Sequence, residues 1–148
     1  MRVIRVPTGS DIPWLVLNSW PILEWFYQRP PAQQAFEALL GSAARGQVRL
    51  CMSRMNQGEV YYSAVKEVSE SAGQVLMRQL QALPIEIVSV TDNHVDAAAR
   101  LKAVHKISYA DGFAAALGIE RNAAVVTGDP AFRRLAAANI LSIEWLGR

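Results

Sequence analysis

The sequence predicts an α/β fold: a mainly parallel, doubly wound sheet of about five strands, covered by helices on both faces. Two observations carry that expectation. Short apolar runs alternate along the chain with longer segments whose apolar residues recur every three or four positions. Each strand-like run is also separated from the next by helix-like sequence, as crossovers between parallel strands require. Such crossovers are almost always right-handed. The chain has 148 residues, of which 51% are hydrophobic and 19% charged. That suits one domain with its own core and excludes a disordered chain.

The elements follow in order. Residues 1–13 hold two prolines and no clean period, and are read as a surface arm or extension. The single domain is expected over 14–148. "LVL" (15–17) is the first strand, and "WPILEWFY" (20–27) a helix with Pro21 in its first turn. "RPP" (29–31) breaks the chain before a helix over 32–43, with apolar Ala35, Phe36, Leu39 and Leu40. "VRLCMS" (48–53) is the second strand, with a helix from about Ser53 to Val68. A further helix carries Leu76, Leu80 and Leu83 and stops at Pro84. "IEIVSV" (85–90) is the third strand by its alternation. Thr91 caps a helix over 91–106, and 108–120 forms another through Ala110, Phe113, Ala114 and Leu117. "AAVVTGD" (123–129) is the fourth strand, "PAFRRLAAA" (130–138) a short helix and "SIEWL" (142–146) the fifth strand.

Several function classes are disfavoured. The net charge of +2 is compatible with a polyanion partner but does not demand one. Cys51 is the one cysteine, so no intrachain disulfide forms and a reducing, cytoplasmic setting is expected. Pro7, Thr8, Gly9, Ser10 and Asp11 interrupt any signal-peptide core, and no apolar run approaches a membrane span. His94 and His105 lack nearby Cys or His partners, which argues against zinc. Glycine-rich dinucleotide and P-loop motifs are absent from the sequence. The basic residues Arg45, Arg49, Arg54, Lys66, Arg133 and Arg134 are scattered, a solvated surface from which some could reach RNA phosphates. The aromatic helices over 20–40 offer apolar surface for a second copy or a partner.

Four polar residues stand at helix starts or strand ends. Asn18 follows the first strand. Glu59 lies two turns into the helix after the second. Asp111 opens the helix over 108–120, and Asp129 ends the fourth strand. Each has a bland reading. Asn18 and Asp129 suit N-caps, the latter before Pro130. Ser108 and Asp111 resemble a capping box. Glu59 suits a solvated helix face. Together they read differently. In doubly wound sheets the functional crevice lies at the carboxyl ends of the strands, where neighbouring strands would gather these side chains. Clustered carboxylates repel one another, and a hard cation such as Mg²⁺ or Mn²⁺ resolves the conflict. Oxygen ligands at a sheet edge suit metal-assisted phosphodiester hydrolysis.

These residues carry a resemblance. The segments "LVLNSWPILEWF", "MSRMNQGEVYY" and "LKAVHKISYADGFAAALGIERNAAVVTGDPAF", in that order and spacing, resemble PIN-domain ribonucleases, most of all the VapC toxins of type II toxin–antitoxin pairs. The resemblance covers about residues 15–146. It implies a three-layer α/β/α sandwich, dependence on Mg²⁺ or Mn²⁺, RNA cleavage, a homodimer and a cognate antitoxin. It assigns Glu59, Asp111 and Asp129 to catalysis and, with Asn18, to metal binding. Ser19 and Thr127 would support the site. Asn18 departs from the pattern, because the family has an aspartate there. An amide oxygen can bind a metal but adds no charge, so weaker activity is expected.

Two readings remain in competition. One is a metal-dependent endoribonuclease toxin. The other is a catalytically silent PIN-like module that binds RNA or an antitoxin, a reading that rests on Asn18. A receiver-like phosphoacceptor is disfavoured, since it would want adjacent acids after the first strand and a late lysine.

Overall fold

The computed structural model describes residues 11–147. The first ten residues of the expected N-terminal arm lie outside that range. The chain runs β1 (Trp14–Leu17), α1 (Ser19–Phe26), α2 (Ala32–Ala44), β2 (Arg49–Ser53), α3 (Arg54–Glu67) and α4 (Glu70–Gln81). It continues with β3 (Ile85–Val88), α5 (Asp92–Val104), α6 (Tyr109–Arg121), β4 (Ala124–Thr127), α7 (Arg133–Ala137) and β5 (Ile143–Trp145). The five strands form one sheet in the order β3-β2-β1-β4-β5, and every pairing is parallel. The strand order reverses direction at β1, between β2 and β4, which is where a doubly wound sheet opens its crevice.

The period-2 alternation of the strands divides the core. Leu17, Leu50, Met52 and Val126 face one side, packed with Ile22, Phe36, Val60 and Leu76 of α1 to α4. Val16, Cys51 and Val125 face the other, packed with Ala114 and Leu117 of α6 and Leu135 of α7. Two helical layers thus enclose the sheet, the three-layer sandwich expected. Cys51 is fully buried, and burial pushes its thiol up to about 11. It is core, not a nucleophile.

Helix α6 departs from its one-sided pattern. Every residue from Asp111 to Gly118 is buried, because α6 lies between the sheet and α5. Gly112 permits that double contact. A Cβ there would stand 3.1 Å from the Ala98 carbonyl oxygen of α5. The buried His94 joins the same helices: its Nε2 lies 2.9 Å from Oε2 of the exposed Glu120, while Thr91 and His94 complete a capping box.

Two expectations change. The helix over 130–138 begins as a 3₁₀ turn at Pro130–Phe132, because Asp129 caps it with its side chain and Pro130 supplies no N–H. The α1–α2 pair buries part of its apolar surface internally and keeps the rest in a groove of about 460 Å³ lined by Trp25, Phe26 and Leu83. Leu23, Trp25, Phe26, Leu39 and Leu40 pack back onto the core. Among the described residues, the large exposed apolar side chains lie on other elements, including Val104 at 78% and Ile119 at 48% exposure. No helix among them is long and apolar enough to cross a membrane.

Candidate active site

The carboxyl edge of the sheet gathers the four polar residues through simple local geometry. β1 ends at Leu17, and Asn18 caps α1: its Oδ1 accepts from the Trp20 N–H at 3.2 Å. β2 runs directly into α3, which places Glu59 on the second turn. β4 ends at Thr127, and Asp129 follows two residues later. Its Oδ1 accepts from the Ala131 N–H at 3.0 Å, while its own N–H donates to Thr127 Oγ1 at 3.1 Å. Thr127 is fully buried, so it fixes the loop rather than facing solvent. Ser19 is buried as the first residue of α1.

Asp111 is the electrostatic centre. It sits in the first turn of α6 with its N–H donating to Ser108 Oγ at 3.1 Å, and is only 6% exposed. Burial pushes its carboxyl up to about 6, and the charges of Glu59 and Asp129 push the same way. Hydrogen bonds from the Ser108 hydroxyl and the Asn18 amide oppose the shift. Ser108 thus both caps α6 and helps to hold the Asp111 carboxyl. Asn18 likewise is a helix cap that also acts on the Asp111 carboxyl.

The donor set consists of oxygen atoms. Glu59 Oε1 is buried without a hydrogen-bond partner, and so is Asn56 Oδ1 on the preceding turn. A buried acceptor without a donor is costly, and a cation or its waters would satisfy it. Among the described residues no three His, Cys, Asp or Glu side chains stand close enough to enclose one ion. Electrostatic coupling reaches further than a coordination bond, so the two findings agree. The acids form an open cluster. That arrangement fits a hard cation that keeps several waters and takes one or two carboxylates, as Mg²⁺ does.

Asn56 was not legible as a site residue. It is fully buried, and its Nδ2 donates to the Ala110 carbonyl at 3.0 Å, tying α3 to the start of α6. The one available signal was an asparagine within a helix, three residues before Glu59. Tyr62, one turn beyond Glu59, is half exposed; desolvation and then the Glu59 and Asp111 charges raise its phenol pKa. Of the basic residues, Arg49 lies at the opposite edge of the sheet, 4.3 Å over the Trp14 ring and bonded to the Ile12 carbonyl. It is a structural cation.

The PIN domain family matches residues 21–138, which include three of the four pocket residues. The chain belongs to the PIN domain family. No curated protein sequence matches it. Among solved structures, VapBC2 from Rickettsia felis bound to a promoter DNA fragment superposes with a TM-score of 0.72 at 17% identity. That alignment covers 90% of this chain and 98% of the other. The sarcin–ricin-loop-cleaving toxin VapC20 from Mycobacterium tuberculosis gives a TM-score of 0.70 at 12% identity, covering 88% and 98%. DNA-bound VapBC from Salmonella typhimurium gives 0.69 at 15%, covering 90% and 98%. At these identities the likeness shows that the PIN fold is shared over nearly the whole length of each relative.

Proposed function

We propose that this PIN domain is a Mg²⁺- or Mn²⁺-dependent endoribonuclease toxin, with Glu59, Asp111, Asp129 and Asn18 as its metal-binding pocket. The observation that supports it is that two further carboxylates, Glu59 and Asp129, and the Asn18 amide act on the buried Asp111, whose carboxyl is pushed up to about 6. A fold gains no stability from that crowding, and a cation relieves it. When bound, a divalent ion supplies charge that stabilises the phosphate in the transition state and makes water more acidic. The chain's own residues prepare for it. Asn18 and Ser108 hold the Asp111 carboxyl, the cap at Ala131 orients Asp129, and Asn56 fixes α3 against α6.

Asn18 favours the second reading, a silent module that binds RNA or an antitoxin without cutting. One experiment separates them: cleavage of total RNA with Mg²⁺ or Mn²⁺ by the parent chain, Asn18→Asp and Asp111→Asn. Cleavage by the parent, strengthened in Asn18→Asp and reduced roughly 100-fold or more in Asp111→Asn, supports the nuclease. Cleavage by Asn18→Asp alone supports the silent module. No cleavage by any of the three sinks the metal-site assignment. VapBC relatives are solved as toxin–antitoxin assemblies, which supports a cognate antitoxin as a protein partner, in the cytoplasm. A homodimer completes the proposal.

A further inference from the structure

A second polar groove lies beside the acidic pocket, across α3. It has a volume of about 440 Å³ and is lined by Arg54, Gln57, Gly58 and Tyr61 of α3 with Met77 and Gln81 of α4. Arg54 is exposed, and among the described residues it has no hydrogen bond or ion pair. The groove therefore offers an uncommitted guanidinium, two side-chain amides and an aromatic ring. These are groups that bind phosphate, base edges and base faces.

The helix itself connects this groove to the acids. Gly58 and Glu59 point about 100° apart around α3, and Tyr62 falls between them. Tyr62 is 51% exposed. A strand lying across this turn passes from the carboxylates, over Tyr62 and Gly58, into the groove. Gly58 is the telling residue. A glycine inside a helix costs about 1 kcal/mol relative to alanine. Internal packing does not require it here: a Cβ at Gly58 would meet only Arg54 Nη1, at 3.9 Å. Gly73 on the facing helix is different, because a Cβ there would meet Val65 at 2.7 Å. Gly73 is explained by the fold, whereas Gly58 leaves bare backbone at the edge of the groove.

We infer that the groove is a nucleotide subsite for single-stranded RNA, holding a nucleotide further along the strand from the one at the acidic pocket. Arg54 pairs with a phosphate, Gln57 and Gln81 contact the base edge, and the bare backbone at Gly58 lets the strand lie against α3. The charge pattern favours RNA. The acids alone repel a phosphate chain, and Arg54, about 140° around α3 from Glu59, supplies the opposite charge on the groove side. This subsite rests on the nuclease reading above and deepens it.

The test uses the full chain and a fluorescent pool of random-sequence single-stranded RNA twelve nucleotides long, in buffer with Ca²⁺. Affinity is read by anisotropy across a salt series. Arg54→Ala should weaken binding roughly tenfold and lower the log–log salt slope by about one, while Arg54→Lys keeps the slope. Gly58→Leu should weaken binding roughly tenfold while its melting temperature stays level or rises, which separates a blocked surface from a damaged fold. Parent-like affinity in both Arg54→Ala and Gly58→Leu overturns the subsite, even where the parent binds and cuts RNA. A parent that binds no RNA in the pool overturns the nuclease reading itself, and the subsite with it.

Discussion

At Asn18 the amide oxygen accepts from the Trp20 N–H while the amide also favours the charged form of the Asp111 carboxyl. Aspartate caps a helix as well as asparagine does, so Asn18→Asp would keep the first and lose the second. It would place a fourth negative charge against Asp111. Without divalent ions the variant should melt below the parent at pH 7.5, and Mn²⁺ should raise its melting temperature more than the parent's. Equal Mn²⁺ responses in thermal melts would show that the amide costs the pocket nothing. Asp111 allows a separate test. Its folded pKa of about 6 stands above the ordinary 3.8. Between those values the folded state holds the proton more tightly, so stability is present at low pH and is lost as pH rises through 6. In EDTA at pH 8, Asp111→Asn should exceed the parent's stability by up to about 3 kcal/mol, with the gap closing towards pH 4. Urea melts giving parallel stability–pH curves would refute this. Asn18, Asp111 and Asp129 stand out in the sequence because each follows a strand or opens a helix, whereas Glu59, on the second turn of α3, stands out only through the family resemblance. Asn56 does not stand out, because its partner is a backbone carbonyl 54 positions away, a contact that no local pattern encodes.

Strands and helices were mostly legible because each is short, apolar on a regular period and closed by a cap or breaker. Thr91, Ser108 and Pro84 mark their boundaries well. Helix α6 shows where period fails. A helix buried from Asp111 to Gly118 has no solvent face to make a stripe, and only its contact with α5 explains its small residues. The reversal of strand order at β1 likewise depends on long-range pairing. The α5–α6 contact gives the third prediction. At Gly112 an added side chain would press on the Ala98 backbone at 3.1 Å, and backbone does not yield as a flexible side chain does. Gly112→Val should therefore cost about 1–3 kcal/mol despite the loss of a helix glycine. For a domain of this size that is a fall of roughly 2–12 °C in melting temperature. Because Asp111 precedes Gly112, RNA cleavage should fall as well, even well below the melt. A variant as stable as the parent would mean that α5 can slide away from α6.

Across the whole molecule, the acidic pocket and the apolar surface occupy different places. The pocket stands at the carboxyl ends of β1, β2 and β4, while an apolar groove of about 310 Å³ runs between α5 and α6. Leu101, Val104, Ala116 and Ile119 line it, with Arg100 and His105 also contributing. Val104 is 78% exposed, a large solvent cost for a valine on a folded domain. A second copy is the occupant proposed for this face. A two-fold axis would bring Val104 and Ile119 of both copies together, and such self-complementary apolar contacts are the commonest route to closed dimers. The α1–α2 face also carries a groove, lined by Trp25 and Phe26, but its lining includes Gln28, Gln33, Glu37 and Gln79. Val104→Asp places a charge at the centre of the proposed contact without touching the core. By light scattering the parent should run as a dimer and Val104→Asp as a monomer, with a melting temperature within a few degrees of the parent diluted below its dimerisation range. RNA affinity in the Arg54 groove should survive in the monomer, because both α3 and α4 belong to one chain. A dimer unchanged by Val104→Asp would move the interface elsewhere and leave the α5–α6 groove without an occupant.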